Sequence, residues 1–384
     1  MTDLAPHGLF SPEGVPLREP EEVERALTAL WRPAAREATG DETATATRVS
    51  IANLLVVTSA DQWNDVLATL GELSPLYPTR TIALLIEAAA GDAAPEPIRV
   101  SVSAICHVPQ PGEAQVCCEQ IVLRAGQSQV EFLDKTVLPL LEADLPVMCW
   151  WRASPLAWPQ LSAAIQSIAA RWIVDHLGFE HLESSATCAV RELAWYRTAG
   201  LRELVAQMFD GCTPEVIEAI TQVEIRTGPH AEDQAQGIWL AAFLAGQLGW
   251  TPSTAESMPP HEVGAGRLSG RFRFLARGRE AEIQITPSDV VMKSSPVPRQ
   301  SPLRYVKITS ESNTFELDCC AHRRSEYRLT ICSGSVCQAP RTVQVQSAGT
   351  SQSLAAALVG RRADPVFERA RPIAAWLAGV SSRP

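Results

Sequence analysis

Long apolar runs are missing from this chain. No stretch of about 18 uncharged apolar residues occurs, the length a helix needs to cross a bilayer, so no membrane is expected as a partner. Between Met1 and Pro20 there is no apolar run of the kind a secretory signal requires, and the expected location is cytoplasmic. Basic charge is also scarce: 33 Lys and Arg stand against 43 Asp and Glu, a net charge of −10. Binding a phosphate backbone needs a basic face, so no nucleic acid is expected either. The aromatic residues, 6% of the chain, are scattered without Arg- or Lys-rich surroundings, which removes a base-stacking platform.

Motifs that carry chemistry are equally sparse. There is no G-x-S-x-G nucleophile elbow and no G-x-x-x-x-G-K-[ST] phosphate loop. Gly264, Gly266 and Gly270 approach a dinucleotide glycine pattern, but their spacing is wrong and they precede an alternating strand instead of opening a helix. The seven histidines are spread thinly, and none pairs with a second at ligand spacing. His176 follows Asp175, yet adjacent residues at a strand end rarely face one point. Cys319, Cys320, His322, Cys332 and Cys337 lie close together, but neighbours in a strand point to opposite faces and no C-x-x-C anchors a zinc site. Neither a metal nor an organic cofactor is expected.

What is present reads as a packed protein. Hydrophobic residues make up 46% and charged residues 20% of 384, enough for two cores. In a reducing compartment most of the ten cysteines should be small buried apolar groups rather than a disulfide framework. Cys332 and Cys337 stand apart from that rule. Five residues apart around Ser333–Gly334–Ser335, they can meet across a turn, either as a redox-responsive pair or as two unpaired thiols.

The order of elements predicts α/β architecture. Residues 1–47 read as a loose arm followed by a helix from Glu21, and 48–190 as an α/β domain. Arg48–Thr58, Thr81–Ile86 and Leu145–Trp151 are short, apolar and rich in Val, Ile and Leu, as buried strands are. Ile98–Cys106 alternates, as a half-exposed strand does. Helical spacing marks Asp61–Leu73, Gln129–Leu141 and Pro155–Ala170. Residues 191–250 read as helical throughout and packed on that domain, 251–266 as a Pro- and Gly-bearing linker, and 267–384 as a mainly antiparallel β part closed by two helices. The fold class is therefore a mixed sheet flanked by helices, with a C-terminal α+β part.

The densest aromatic feature is Asp144-Leu-Pro-Val-Met-Cys-Trp150-Trp151, which puts two tryptophans at the carboxyl end of a central strand. Alternation sends them to opposite faces, so one can pack under a helix while the other approaches the rim where open α/β sheets bind ligands. The plainer alternative is that both are core.

Several further segments carry a family resemblance. They are Asn53-Leu-Leu-Val-Val57, Pro78-Thr-Arg-Thr-Ile82, Cys118-Glu-Gln-Ile121, Leu140 through Trp151 and Ile173-Val-Asp175. Glu192-Leu-Ala-Trp-Tyr-Arg197, Arg202 through Asp210 and Trp239 through Trp250 complete the set. In order and spacing the chain resembles the OpcA family, the glucose-6-phosphate dehydrogenase assembly proteins, from Glu21 to Trp250 and more weakly beyond. It departs from that family at His176, where a small hydroxyl residue is usual, at Tyr196 and in its cysteine-rich tail. The resemblance implies a non-enzymatic allosteric partner of glucose-6-phosphate dehydrogenase that favours its active oligomer and so supports NADPH formation. The partner or ligand surface it points to comprises Arg80, Asp144, Trp150, Trp151, Arg152, Asp175, Trp195 and Arg202. The competing expectation is a sugar-phosphate sensor or enzyme that uses Arg80, Arg152 or Arg202 to clamp phosphate.

Overall fold

The computed structural model describes residues 7–8, 15–17, 19–37, 47–88, 97–108, 115–153, 157–175, 187–257, 269–287, 302–320, 325–346, 348–360 and 364–381. His176, Gly264 and Gly266, weighed above, and the second half of the expected linker lie outside these residues.

The chain begins with the two-residue strands β1 (His7–Gly8) and β2 (Val15–Pro16), then α1 (Pro20–Glu37) and β3 (Thr47–Arg48). Next come β4 (Asn53–Ser59), α2 (Trp63–Leu73), β5 (Arg80–Glu87), β6 (Arg99–His107) and β7 (Val116–Gly126). They are followed by α3 (Leu133–Val137), β8 (Val147–Trp151), α4 (Pro159–Ile168), β9 (Arg171–Val174) and β10 (Ala189–Glu192). The second half contains α5 (Leu193–Arg197), α6 (Ala199–Gln207), α7 (Pro214–Glu218), β11 (Ile220–Thr227), α8 (Ala231–Leu248) and β12 (Thr251–Ser257). Then come β13 (Gly270–Ala276), β14 (Arg279–Pro287), β15 (Leu303–Ser310), β16 (Asn313–Cys319) and β17 (Glu326–Ser333). The chain closes with β18 (Val336–Cys337), β19 (Arg341–Gln344), α9 (Thr350–Val359) and α10 (Pro365–Ser381).

These elements form two units. The first takes the described residues up to Asp175, those from 187 to Leu193, and Thr350–Gly360. The second takes Ala194–Gly349 and the described residues from 364 onward.

In the first unit, β4, β5, β7, β8, β9 and β10 run parallel, in the spatial order β7-β5-β4-β8-β9-β10. Numbered by their place in the chain, that is third, second, first, fourth, fifth, sixth: the doubly wound order, whose direction reverses between β4 and β8. β4 (NLLVVTS) is buried at six consecutive positions, and its middle, Leu54–Val57, is an apolar run, as in a strand buried on both faces. β6, which lies between β5 and β7 in the chain but not in the sheet, runs antiparallel on the outer side of β7, with one face half exposed. The helix expected over Gln129–Leu141 is instead 3-10 turns on either side of a five-residue α3, and Pro139, which has no amide donor, accounts for the break after Val137. α9 returns to this unit late in the chain. Ser351 Oγ donates to Glu72 Oε2 at 2.7 Å, and Arg171 holds the Ala357 carbonyl at 2.7 Å.

Among the described residues, the second unit is built on a nine-stranded sheet ordered β12-β13-β14-β11-β15-β16-β17-β18, with β19 also on β17. Of the strand pairs described there, only β11–β14 is parallel. β13 alternates buried and exposed at every residue: Phe272 and Phe274 face α10 and its Trp376, while Arg271 and Arg273 stay outside. α8 lies so close to β11 that a Cβ at Gly237 would strike the Thr227 methyl, so only glycine allows the approach.

Two expectations change here. The stretch 191–250 is not helical throughout, because Ile220–Thr227 forms β11 in the middle of the second sheet. Thr251–Ser257, expected as linker, is the edge strand β12. Among the described residues, no helix is long and apolar enough to cross a membrane.

Candidate functional site

In a doubly wound sheet, ligands bind outside the carboxyl ends of the strands, where the order reverses. Here that point lies between β4 and β8. Val57 is paired with Trp151, and the Arg152 amide donates to the Val57 carbonyl at 2.8 Å. This strand order implies a dinucleotide, whose pyrophosphate rests on a glycine-rich turn after the first parallel strand. The turn after β4 is instead Ser59-Ala60-Asp61-Gln62, a 3-10 segment without glycine that leads into α2. Each of its residues carries a Cβ where backbone should approach phosphate, and Asp61 adds a like charge in the first turn. Thr58 Oγ1 is within 3.4 Å of Gln62 Oε1, closing the turn on itself. These residues do not fit a dinucleotide.

The carboxyl end is filled by aromatic side chains. Trp151 stacks on Trp172 at 4.7 Å and meets the edge of Trp158 at 6.1 Å. Trp158 adopts a left-handed backbone (φ 53, ψ 61) at the start of α4, and its indole N–H donates to Gln127 Oε1 at 2.9 Å. That conformation is costly for a side chain with Cβ, and the Trp158 ring is tied by its edge contact with Trp151 and its bond to Gln127. Trp150 and Trp151 are both 0% exposed, so neither offers a contact surface and the plainer of the two readings stands. Arg152 is half-buried, with its guanidinium 5.2 Å from the Trp150 ring. Among the described residues it has no carboxylate partner. Asp175, half-buried, follows β9 at the same end of the sheet.

Arg80 and Asp144 lie at the opposite, amino end. Asp144 is exposed in the turn before β8, whereas Arg80 opens β5 and is buried. Arg80 Nη1 is 2.7 Å from Glu142 Oε1 and 3.5 Å from Glu119 Oε2, and Nη2 pairs with Glu24 of α1. Arg48 adds a 3.0 Å contact to Glu119 and a second to Glu142. The Trp31 indole N–H donates to Glu119 Oε1 at 2.8 Å. Asn53 clamps the backbone that presents Glu142, donating to the Glu142 and Leu145 carbonyls and accepting from the Glu142 amide. With three carboxylates around it, Arg80 is already engaged and is not free to clamp a phosphate. Burial of Arg80 and Glu119 is tolerated because each charge is paired, although Arg80 Nε and Glu119 Oε2 have no hydrogen-bond partner among the described residues.

Trp195 and Arg202 belong to the second unit and are brought together there. The Arg202 guanidinium lies 3.3 Å from the centre of the Trp195 ring and donates to the Trp195 carbonyl at 3.1 Å. Burial pushes its pKa down to about 10, against the opposing pull of Asp364 and Tyr196. Trp195 Nε1 donates to Asp364 Oδ2 at 3.3 Å, and Asp364 Oδ1 accepts the Val366 and Phe367 amides at the start of α10. Trp239 and Phe367 pack on Trp195 at 5.5 Å each. This is a core cluster that anchors α5, α6 and α10. The eight residues expected as one surface therefore fall into three places; of the three candidate phosphate clamps, Arg80 is engaged by carboxylates, Arg202 is buried against the Trp195 ring, and Arg152 has no carboxylate partner among the described residues.

The same unit has a groove of about 230 Å³ between α7, the end of α8 and the β13–β14 turn, lined by Pro214, Ile217, Leu248 and Trp250. An ion pair of Glu218 with Arg277 crosses its rim. Among the described residues, no three His, Cys, Asp or Glu side chains come together as metal ligands.

Cys332 and Cys337 form a disulfide across the β17–β18 hairpin. A second disulfide, Cys106–Cys117, joins directly opposed residues of β6 and β7, where small buried apolar thiols were expected. Equal strand arms on either side of one hairpin carry the signal for it. Cys149 and Cys188 remain thiols, and burial pushes Cys188 up to about 11.

A doubly wound unit with no dinucleotide turn, followed in the chain by a largely antiparallel sheet unit, defines a Rossmann-type protein stripped of its cofactor seat. Residues 71–191 match the model described as glucose-6-phosphate dehydrogenase subunit N-terminal domain, and 188–371 match its C-terminal domain. The chain belongs to this family, OpcA. Relatives named OxPP cycle protein OpcA include one from Synechococcus elongatus, 30% identical over 168 residues, 41% of this chain and 37% of the relative. One from Synechocystis sp. is 28% identical over 173 residues, 42% of this chain and 36% of the relative. The matches thus span little more than a third of those relatives' length. Among solved structures, yvaA from Bacillus subtilis, described as an oxidoreductase, aligns at TM-score 0.47 and 12% identity over 86% of this chain and 97% of that one. At that score the likeness carries no functional argument.

Proposed function

We propose that this chain is a non-catalytic assembly factor and allosteric activator that binds glucose-6-phosphate dehydrogenase and favours its active oligomer. The observation that carries the reading is family membership over residues 71–371, in both halves of the chain. The β4 turn that does not fit a dinucleotide supports it, since the fold's usual route to redox chemistry lacks its seat. A partner shifts a conformational equilibrium only by holding one state more tightly than another. A coupling of about 1–3 kcal/mol changes substrate affinity by about 5–150-fold.

Linkage is reciprocal, which gives the test. Glucose 6-phosphate should tighten the complex by the same factor by which this chain tightens binding of the sugar phosphate. Affinity of the immobilised chain for the dehydrogenase is measured with and without glucose 6-phosphate; equal affinities refute the allosteric form of the proposal.

Arg152 supports a second reading, a sensor of a small sugar phosphate at the β4–β8 reversal, because it stands there beside Trp150 with no carboxylate among the described residues. Tryptophan quenching by the metabolite in the absence of dehydrogenase separates the two.

A further inference from the structure

The Cys106–Cys117 disulfide lies beneath α1, and we propose that it is a reducible latch that sets how tightly α1 is held on the parallel-sheet unit. This inference stands independently of the partner proposed above. It rests on where the sulfurs sit. Cys117 is fully buried, Cys106 is half-buried, and the two are directly opposed on β6 and β7. Leu30 of α1 packs with Ala104 and Cys117 in a small core cluster of its own, flanked by Trp31 and Cys106. The helix thus rests on the bonded sulfurs themselves.

The polar fastenings of α1 are linked to the same spot. Cys117 and Glu119 are two apart on β7 and so share a face. Glu119 accepts the Trp31 indole N–H and is held from the other side by Arg48 and Arg80, and Arg80 in turn pairs with Glu24 one turn before the middle of α1. Two unbonded sulfurs need more room than a bonded pair, and a close-packed cluster has none to give. The element able to yield is α1, because β6 and β7 are fixed in the sheet by their ladder.

The exchange is a two-electron step with a dithiol as reductant. Its thiolate attacks Sγ of Cys106, the more accessible sulfur, forming a mixed disulfide there and breaking the bond to Cys117. Cys117 leaves as thiolate and takes a proton. The second thiol of the reductant then attacks the mixed disulfide, closing its own disulfide and releasing Cys106 as a thiol. The protein gains two electrons and two protons, and the dithiol loses them.

Cys332–Cys337 differs in what leans on it. It closes a five-residue separation at a hairpin whose β18 residues are exposed. The test therefore uses the full chain carrying Cys332→Ser and Cys337→Ser, so that only one disulfide can change. Hydrogen exchange is followed peptide by peptide in air-oxidised protein and after dithiothreitol, with free thiols counted in each state. Reduction should release two thiols and speed exchange across α1 at least tenfold (about 1.4 kcal/mol of local opening) while β4 amides stay unchanged. Equal α1 exchange in the two states overturns the latch, as does a rise spread equally through β4. A count showing no bond in the oxidised protein overturns it as well. In oxidised protein, Trp31→Phe should speed α1 exchange without reductant, because it removes the tie to Glu119; no change there contradicts the linkage.

Discussion

The two ends of the parallel strands in the first unit are built from opposite materials. At the carboxyl end, Trp151, Trp158 and Trp172 fill the space beside a glycine-free turn. At the amino end, Arg48 and Arg80 hold Glu24, Glu119 and Glu142 in an ion network that is buried at Arg80 and Glu119 and tied to α1. The end that this fold usually keeps open for a ligand is packed like a core, and the end that is usually structural holds the charge. An arginine in a family motif is thus weak evidence of a ligand site until its partners are known, since three carboxylates engage Arg80 and none among the described residues engages Arg152.

The largest effect that would test the contrast is at the carboxyl end. Trp151→Ala deletes a fully buried ring from the stack and should cost about 4 kcal/mol, read as a fall in the urea midpoint at constant slope. A loss below about 1 kcal/mol, the range of ordinary substitutions, would mean that this end is loosely packed and open to ligands after all.

At the amino end, Arg80→Met keeps the stem and removes the charge, leaving the buried Glu119 with Arg48 as its remaining cation. The expected cost is about 3 kcal/mol by the same denaturation. Removing the exposed ion pair Arg279–Glu311 by Arg279→Ala should cost well under 1 kcal/mol, the control for a solvated pair.

A smaller effect sharpens the comparison through pH. Cys188 precedes β10, and burial lifts its thiol to about 11 from the ordinary 9. The folded state therefore favours the protonated thiol. Its contribution to stability is complete below pH 9 and is lost as pH rises toward 11. Native-state alkylation of Cys188, identified by peptide mass, should accelerate through pH 11 rather than 9. The smallest expected effect is none: NADP added to the chain alone should leave its tryptophan fluorescence unchanged, because the β4 turn cannot seat the pyrophosphate. Saturable quenching would break the contrast outright.

Much of the first sheet was legible because parallel strands covered on both faces carry apolar runs, as β4, β5 and β8 do at Leu54–Val57, Ile82–Ile86 and Val147–Trp151. The outward alternation of β13 was equally plain. The spatial order of the strands was not legible, since register and crossovers leave no mark on local composition. β11 was read as helix because it lies between helical stretches, although Val223, Ile225 and Thr227 alternate inward. The Trp150–Trp151 pair was correctly placed on a central strand, but only packing reveals that both rings are buried. The network of Arg80 joins residues 56 and 62 positions away, beyond the reach of any periodicity. The Cys106–Cys117 bond was hidden for a related reason, because its register becomes visible only once β6 and β7 are paired.

The proposed role is tested most directly by kinetics of the partner. Glucose-6-phosphate dehydrogenase from the same source is titrated with this chain at sub-saturating glucose 6-phosphate, following NADPH absorbance. The account predicts a saturable rise in rate with a lower KM for the sugar phosphate. An unchanged KM and kcat at saturating amounts of the chain would contradict it.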